Sequence, residues 1–192
     1  MNATAEAVCN HRIAIVPADN PVRIEAVREL FKEYAASLSF NLCFQSFEDE
    51  LAKLPGEYAP WSGMLLLGLV DDQAAGCVAL HRIGHIQMEE DNEIIAELDL
   101  CEMKRLYVRP QFRGCGLGRE LVDAILKCAA AIGYRRMRLD TIPSEMERAV
   151  EMYQKLGFLE IAPYRSNPIS GAKYLELDLK SWQATATRNK NK

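Results

Sequence analysis

Glycines at 114, 116 and 118 form the one cluster in this chain whose spacing names a chemistry. They follow an apolar-alternating run that ends at Val108 and a proline at 110, and they open a stretch with helical periodicity. Three residues without Cβ let neighbouring backbone N–H groups turn toward one point. The unpaired N–H groups and the dipole of the helix behind them add positive potential there. The arrangement is a cradle for a phosphate or pyrophosphate.

What the pattern is not narrows the choice. A mononucleotide loop needs Gly-x-x-x-x-Gly-Lys-Ser/Thr, whereas Gly118 is followed by Arg119 and Glu120, with neither lysine nor hydroxyl. The dinucleotide fingerprint Gly-x-Gly-x-x-Gly needs its third glycine one residue later. The segment instead resembles motif A of the GCN5-related N-acetyltransferases, the GNAT superfamily, written Gln/Arg-x-x-Gly-x-Gly/Ala. Gln111-Phe-Arg-Gly-Cys-Gly116 satisfies it, Arg113-Gly-Cys-Gly-Leu-Gly118 satisfies it in overlapping register, and Leu106-Tyr-Val-Arg-Pro precedes both. A second segment, Ala149-Val-Glu-Met-Tyr-Gln-Lys-Leu-Gly-Phe158, is similar to motif B, in which a Tyr precedes Leu-Gly-Phe on the last helix. One position departs. Where the family often carries an Asn that contacts the pantetheine arm, three residues before that alanine, this chain has Met146.

The resemblance implies acetyl-CoA as cosubstrate and transfer of its acetyl group to a primary amine of a small molecule, protein or peptide. Transfer would be by direct attack in a ternary complex, with no metal. It assigns the pyrophosphate to the backbone of Arg113, Gly114, Cys115, Gly116, Leu117, Gly118 and Arg119. The pantetheine would lie along Leu106, Tyr107 and Val108, with the Leu106 N–H donating to the thioester oxygen. One donor of that kind is worth about 2.7–4 kcal/mol in other enzymes. Cys115 is expected to face phosphate rather than thioester, and His11, His81 and His85 form no triad with a credible serine.

Two side chains are candidate catalysts. Glu102 stands where histone-type members of the superfamily carry their catalytic Glu, and strand alternation places Glu102, Lys104, Leu106 and Val108 on one face. To act as base, a carboxyl of pKa about 4 must be raised by burial or work through water. The bland alternative is an ion pair with Lys104 or Arg105; Glu97 and Asp99 lie further from the thioester end. Tyr153 is the candidate acid by the motif B resemblance, since a phenol of pKa about 10 suits protonation of a thiolate whose thiol has a pKa of about 8.5. Periodicity alone would make Tyr153 a core aromatic on the stripe Met146, Ala149, Val150, Tyr153.

By the same resemblance the acceptor enters between residues 37–48 and 162–172, which gives Phe40, Phe44, Tyr164, Arg165 and Asn167 as lining. Arg165 would suit a carboxylate on the acceptor, whereas Glu48, Asp49 and Glu50 would suit a cationic amine, and both stay open. The competing function is a non-catalytic acyl-CoA-binding or regulatory module of the same fold.

The elements must hold these residues in place. Expected strands are 12–16, 64–70, 74–83, 96–108, 136–141, 158–161 and 172–179, with Asp71-Asp72-Gln73 as a hairpin turn. Helices are expected from Pro21 to about Leu38, from Ser46 to Pro55-Gly56, from Leu117 to Gly133, and from Ser144 to Gly157. Ser46-Phe-Glu-Asp49 and Ser144-Glu-Met-Glu147 read as capping boxes, and Glu89-Glu-Asp91 as a solvated loop. This is an α/β chain of GNAT order: a mixed central sheet of about seven strands flanked by about four helices, one domain over 11–180, with flexible termini 1–10 and 181–192.

Composition sets outer limits. At 192 residues, 49% hydrophobic and 26% charged, the chain can bury a substantial core. Its formal charge of −4 argues against general nucleic-acid binding. No apolar run approaches the roughly 20 residues of a membrane span, and residues 1–10 lack a signal-peptide layout. Six cysteines without a Cys-x-x-Cys pair read as reduced thiols in a cytoplasmic protein. A homodimer is compatible with the resemblance.

Overall fold

A computed structural model of the chain describes residues 11–42, 46–83 and 100–190, with side chains to 185. In chain order its elements are β1 (Ile13–Pro17), α1 (Pro21–Ala36), α2 (Phe47–Lys53), β2 (Met64–Val70), β3 (Gln73–Arg82), β4 (Leu100–Val108), α3 (Leu117–Ile132), β5 (Arg136–Thr141), α4 (Pro143–Leu156), β6 (Leu159–Ile161), β7 (Lys173–Asp178) and α5 (Leu179–Lys190). The strands form a seven-stranded sheet in the order β1-β2-β3-β4-β5-β7-β6. Among the described residues only β4 and β5 pair in parallel, joined by the α3 crossover; the other neighbours are antiparallel. The expected strand over 96–99, the acidic run 89–91, His85 and Phe44 lie outside the described residues.

Apolar side chains alternate to the two faces of the sheet and build two cores. One lies under α3, α4 and α5 and contains Leu66, Cys101, Met103, Leu121, Ile125, Met137 and Leu177. The other lies under α1 and α2 and contains Val27, Leu30, Phe31, Leu65, Leu67 and Cys77. Gly68 stands opposite Gly76 in the β2–β3 ladder. A Cβ on Gly76 would lie 2.6 Å from the Tyr107 carbonyl oxygen, and one on Gly68 would lie 2.8 Å from Leu117 Cδ1. This bare pair lets the first turn of α3 sit directly on the sheet, which fixes where the glycine cluster ends up.

Local signals placed most boundaries, with four departures. The β2–β3 turn is the two residues Asp71 and Asp72, whose φ values of 49° and 65° fit a type I′ hairpin, so Gln73 already belongs to the strand. Neither expected capping box forms. Ser46 has φ 53° and makes no capping bond. Pro143 takes the first helical position of α4, which places Ser144 inside the helix and Ile142 at its cap. The tail after 181, expected to be flexible, continues as the fifth helix. Asp178 accepts from the Ser181 N–H at 2.7 Å, and Leu179 and Trp182 pack on the α3-side core, so capping and burial hold this helix.

Candidate active site

The site begins with an irregularity in β4. Its ladder with β3 pairs Cys77 with Tyr107 and then Ala79 with Lys104, so Arg105 and Leu106 together stand opposite one residue. Arg105 adopts φ 56°, the left-handed region, and the strand bulges there. The bulge reverses the alternation. Cys101 and Met103 before it, and Leu106 and Val108 after it, face the α3 core. Glu102 and Lys104, then Arg105 and Tyr107, face the α1–α2 side. The expectation that Glu102 and Leu106 share a face is therefore corrected, because a period of two does not survive an inserted residue.

Arg105 is held in that conformation from outside the strand. Its Nε donates to Glu50 Oε1 at 2.9 Å and its Nη2 to Oε2 at 2.5 Å, while the guanidinium lies 5.2 Å from the centre of the Phe47 ring. Tyr58 Oη also donates to Glu50 Oε1 at 2.6 Å. Burial alone would raise the Glu50 carboxyl, but the Arg105 hydrogen bonds and charge hold it below the usual range. Glu50 is thus engaged within the protein, while Glu48 and Asp49 are exposed.

Beyond the bulge the sheet opens. β4 pairs with β5 only from Leu100–Arg136 to Glu102–Arg138, although β4 runs on to Val108 and β5 to Thr141. The two strands diverge and leave a cleft with about 610 Å³ of empty space including its mouth. Met103, Lys104, Arg105 and Leu106 form one wall and Leu139, Asp140, Thr141 and Ile142 the other. Tyr34, Phe40 and Leu42 close it on the α1–α2 side, with Met146 and Tyr153 of α4 and Asn167 completing the lining. Among the described residues the β4 backbone beyond Glu102 has no strand partner on this edge, so an extended ligand arm can take the place of one.

The glycine cluster stands at the open end of the same strand. Gly114 and Gly116 have φ 86° and 94°, and a Cβ on either would meet nothing within 4 Å. The helical ladder of α3 starts with Glu120 N–H to the Gly116 carbonyl at 3.1 Å, so the amides of Leu117, Gly118 and Arg119 lie beyond reach of the helix's own carbonyls. Two details bear on the sequence reading. The Arg113 N–H is spent on the Pro110 carbonyl at 3.2 Å, so it is engaged within the loop. The Cys115 thiol donates to the Phe112 carbonyl at 3.0 Å.

Glu102 sits in a knot of polar side chains behind the cleft, with 2% of its surface exposed. It receives Tyr164 Oη at 2.6 Å and Arg165 Nη1 at 3.1 Å, and lies 2.8 Å from His81 Nε2. His81 Nδ1 in turn lies 3.1 Å from Glu57. Burial by itself would raise Glu102, yet the His81 hydrogen bond and the Arg165 charge outweigh it and hold the carboxyl at about 2. A base role asked for the opposite shift. The ion-pair partner is Arg165 rather than Lys104 or Arg105, since the loop before β7 folds back over the sheet. No spacing rule reports that contact.

Tyr153 is 5% exposed, lines the cleft, and packs against Phe158 with ring centres 5.5 Å apart and planes tilted by 57°. Burial, with a smaller contribution from Tyr34, raises its phenol above the usual value, so it holds its proton. Core packing and access to the cleft thus coincide at this residue. Met146, at the departure from motif B, breaks the α4 helix with φ −137° and ψ 38° and turns its sulfur toward Thr141 Oγ1 at 3.8 Å.

Of the five candidate acceptor residues, Phe40 and Asn167 line the cleft. Arg165 is committed to Glu102 and Asp140, and Tyr164 to Glu102, so neither is free to grip a carboxylate. Asn167 also donates to Asp140 Oδ2 at 2.8 Å. Sequence reasoning missed Tyr34, Leu42, Lys104 as a wall residue, and the whole β5 edge from Leu139 to Ile142.

A parallel pair that splays apart at a bulge, with a glycine-opened helix at its mouth, defines the class of acyl-CoA N-acyltransferase folds. Residues 24–158 match the Acetyltransferase (GNAT) family, and the chain belongs to that family. An uncharacterized N-acetyltransferase of Schizosaccharomyces pombe is 35% identical over 168 residues, covering 87% of this chain and 95% of the relative. A relative described in the same words from Dictyostelium discoideum is 30% identical and covers 82% and 95%. Among solved structures, Salmonella typhimurium YncA with its cofactor acetyl-CoA has the same fold, with TM-score 0.65 at 17% identity, covering 87% of this chain and 94% of that one.

Proposed function

We propose that this chain transfers the acetyl group of acetyl-CoA directly to a primary amine in a ternary complex. The observation that carries the reading is the gap between β4 and β5, with an amide cradle at one end and Tyr153 in its wall. The amides of residues 114–119 would hold the pyrophosphate, and the pantetheine would run along Leu106, Tyr107 and Val108. The Leu106 N–H would then polarise the thioester carbonyl. Tyr153, kept protonated by burial, would deliver a proton to the departing thiolate. The bound acetyl-CoA of the Salmonella protein, which shares the fold, supports the choice of cosubstrate.

The acceptor would approach from the α1–α2 side past Phe40 and Asn167. CoA release measured against a panel of amines, with a thermal shift for acetyl-CoA, tests the proposal. Release that depends on an added amine is the expected result. Stabilisation by acetyl-CoA with no release from any amine would instead support the acyl-CoA-binding module.

A further inference from the structure

The acetyl-transfer reading leaves one step without a group to perform it. An acceptor amine arrives protonated, and Glu102, held at about 2, is a weak proton acceptor at neutral pH. Around the cleft nearly every charged side chain is already matched. Arg105 is paired with Glu50, and Arg165 with both Glu102 and Asp140. Lys104 differs. It forms part of the cleft wall immediately before the bulge, on the face turned to the acceptor side, and no ion pair engages it among the described residues.

Resting on that reading, we infer that Lys104 is the base that accepts the proton of the acceptor ammonium. Its neutral Nζ takes one proton and leaves a lone pair on the acceptor nitrogen. That nitrogen forms a bond to the thioester carbonyl carbon, and the C–S bond breaks. The thiolate takes the Tyr153 proton, which the attacking nitrogen replaces as it becomes an amide. Lys104 then returns its proton to solvent. One acetyl group moves and one proton is released per ammonium consumed.

The surroundings loosen the proton at this position. Burial, and next the charge of Arg105, lower Lys104 below the ordinary lysine range, while Glu102 and Glu50 pull the other way and Arg165 adds to the lowering. The remaining groups facing the cleft are Asp140 on β5, paired with Arg165, and the phenols of Tyr34 and Tyr153, which burial raises. The Arg105 that stabilises the bulge is thus also the cation that lowers the lysine most.

The test is the pH dependence of kcat/KM for Lys104→Met and Lys104→Arg, using an amine found active with the parent and with acetyl-CoA affinity measured alongside. Both variants should lose about 100-fold or more near neutrality. Their rising limb should move up to the pKa of the acceptor amine, and acetyl-CoA affinity should stay within a few-fold. Arg keeps the charge without accepting a proton, so restored activity in Lys104→Arg would overturn the inference. An unchanged pH profile in both variants would do the same, as would stable acetylation of Lys104 itself, because an amide nitrogen is no base. A parent that releases CoA while the variants behave like it removes only the role of Lys104. A parent that releases none with any amine removes the proposed function and this role together.

Discussion

Arg105 in the bulge of β4 and Glu50 in α2 form a two-point ion pair, with Nε to Oε1 at 2.9 Å and Nη2 to Oε2 at 2.5 Å, across 55 residues of sequence. The Arg105 side chain is 3% exposed and that of Glu50 13%. The pair ties a helix to the backbone irregularity that opens the cleft. Removing one partner of a buried pair strands the other charge. Glu50→Ala should therefore cost on the order of 3 kcal/mol in denaturant unfolding and should weaken acetyl-CoA binding as the bulge relaxes. Parental affinity in a folded Glu50→Ala protein would mean that the bulge holds its shape without the clamp.

Glu102 predicts a pH dependence of stability. Its carboxyl is lowered from 4.5 to about 2, so its contribution is fully present above about 4.5 and is lost as pH falls toward 2. That loss is on the order of 3 kcal/mol. Urea unfolding between pH 6 and 2 should show it in the parent and not in Glu102→Gln. Over neutral pH the carboxylate does not itself titrate, so Glu102→Gln should keep the rising limb of the pH–rate profile, moved downward because the charge that raises Lys104 is gone. Loss of that limb in the variant would restore Glu102 as the base.

The cradle can be tested against a matched control. Gly116 and Gly133 both have left-handed φ, 94° and 109°, and both have open space where a Cβ would go. Alanine at either should cost about 1–2 kcal/mol of backbone strain. Only Gly116→Ala should weaken acetyl-CoA binding, because Gly133 ends α3 at its opposite end. Equal affinities in the two variants, measured by calorimetry, would place the pyrophosphate elsewhere.

Tyr153→Phe should lower kcat by roughly 10- to 1000-fold, within the span of general-acid assistance. The ring, and with it the Phe158 contact, is retained, so the melting temperature should change little. Acetyl-CoA affinity should also hold. Near-parental kcat with a reactive amine would leave Tyr153 as a packing residue alone.

Much of this protein could be read from local spacing. The stripe Leu121, Ile125, Cys128 and Ile132 and the glycine after it bound α3 closely. The alternation of Arg136–Thr141 marked β5 to the residue. Capping was read less well. Pro143 rather than Ser144 starts α4, and the unread pair Asp178–Ser181 starts α5. Where two local signals compete, the one that sets backbone φ prevails over the one that adds a single hydrogen bond.

By itself the sequence determined the first four helices, the strand order, the family and the glycine cluster that opens α3, because each depends on residues within a few positions of one another. Tertiary structure alone decided which side chains share the cleft. The bulge at Arg105 reversed the facing of every later residue in β4. The fold-back of the loop before β7 brought Tyr164 and Arg165 onto Glu102, 62 and 63 residues away, and took that carboxylate out of proton exchange near neutral pH. The same fold-back pairs Arg165 with Glu102 and Asp140, and among the described residues no ion pair engages Lys104. A strand's period of two predicts facing only while pairing is regular, and a carboxylate's pKa depends on partners that no local spacing brings together.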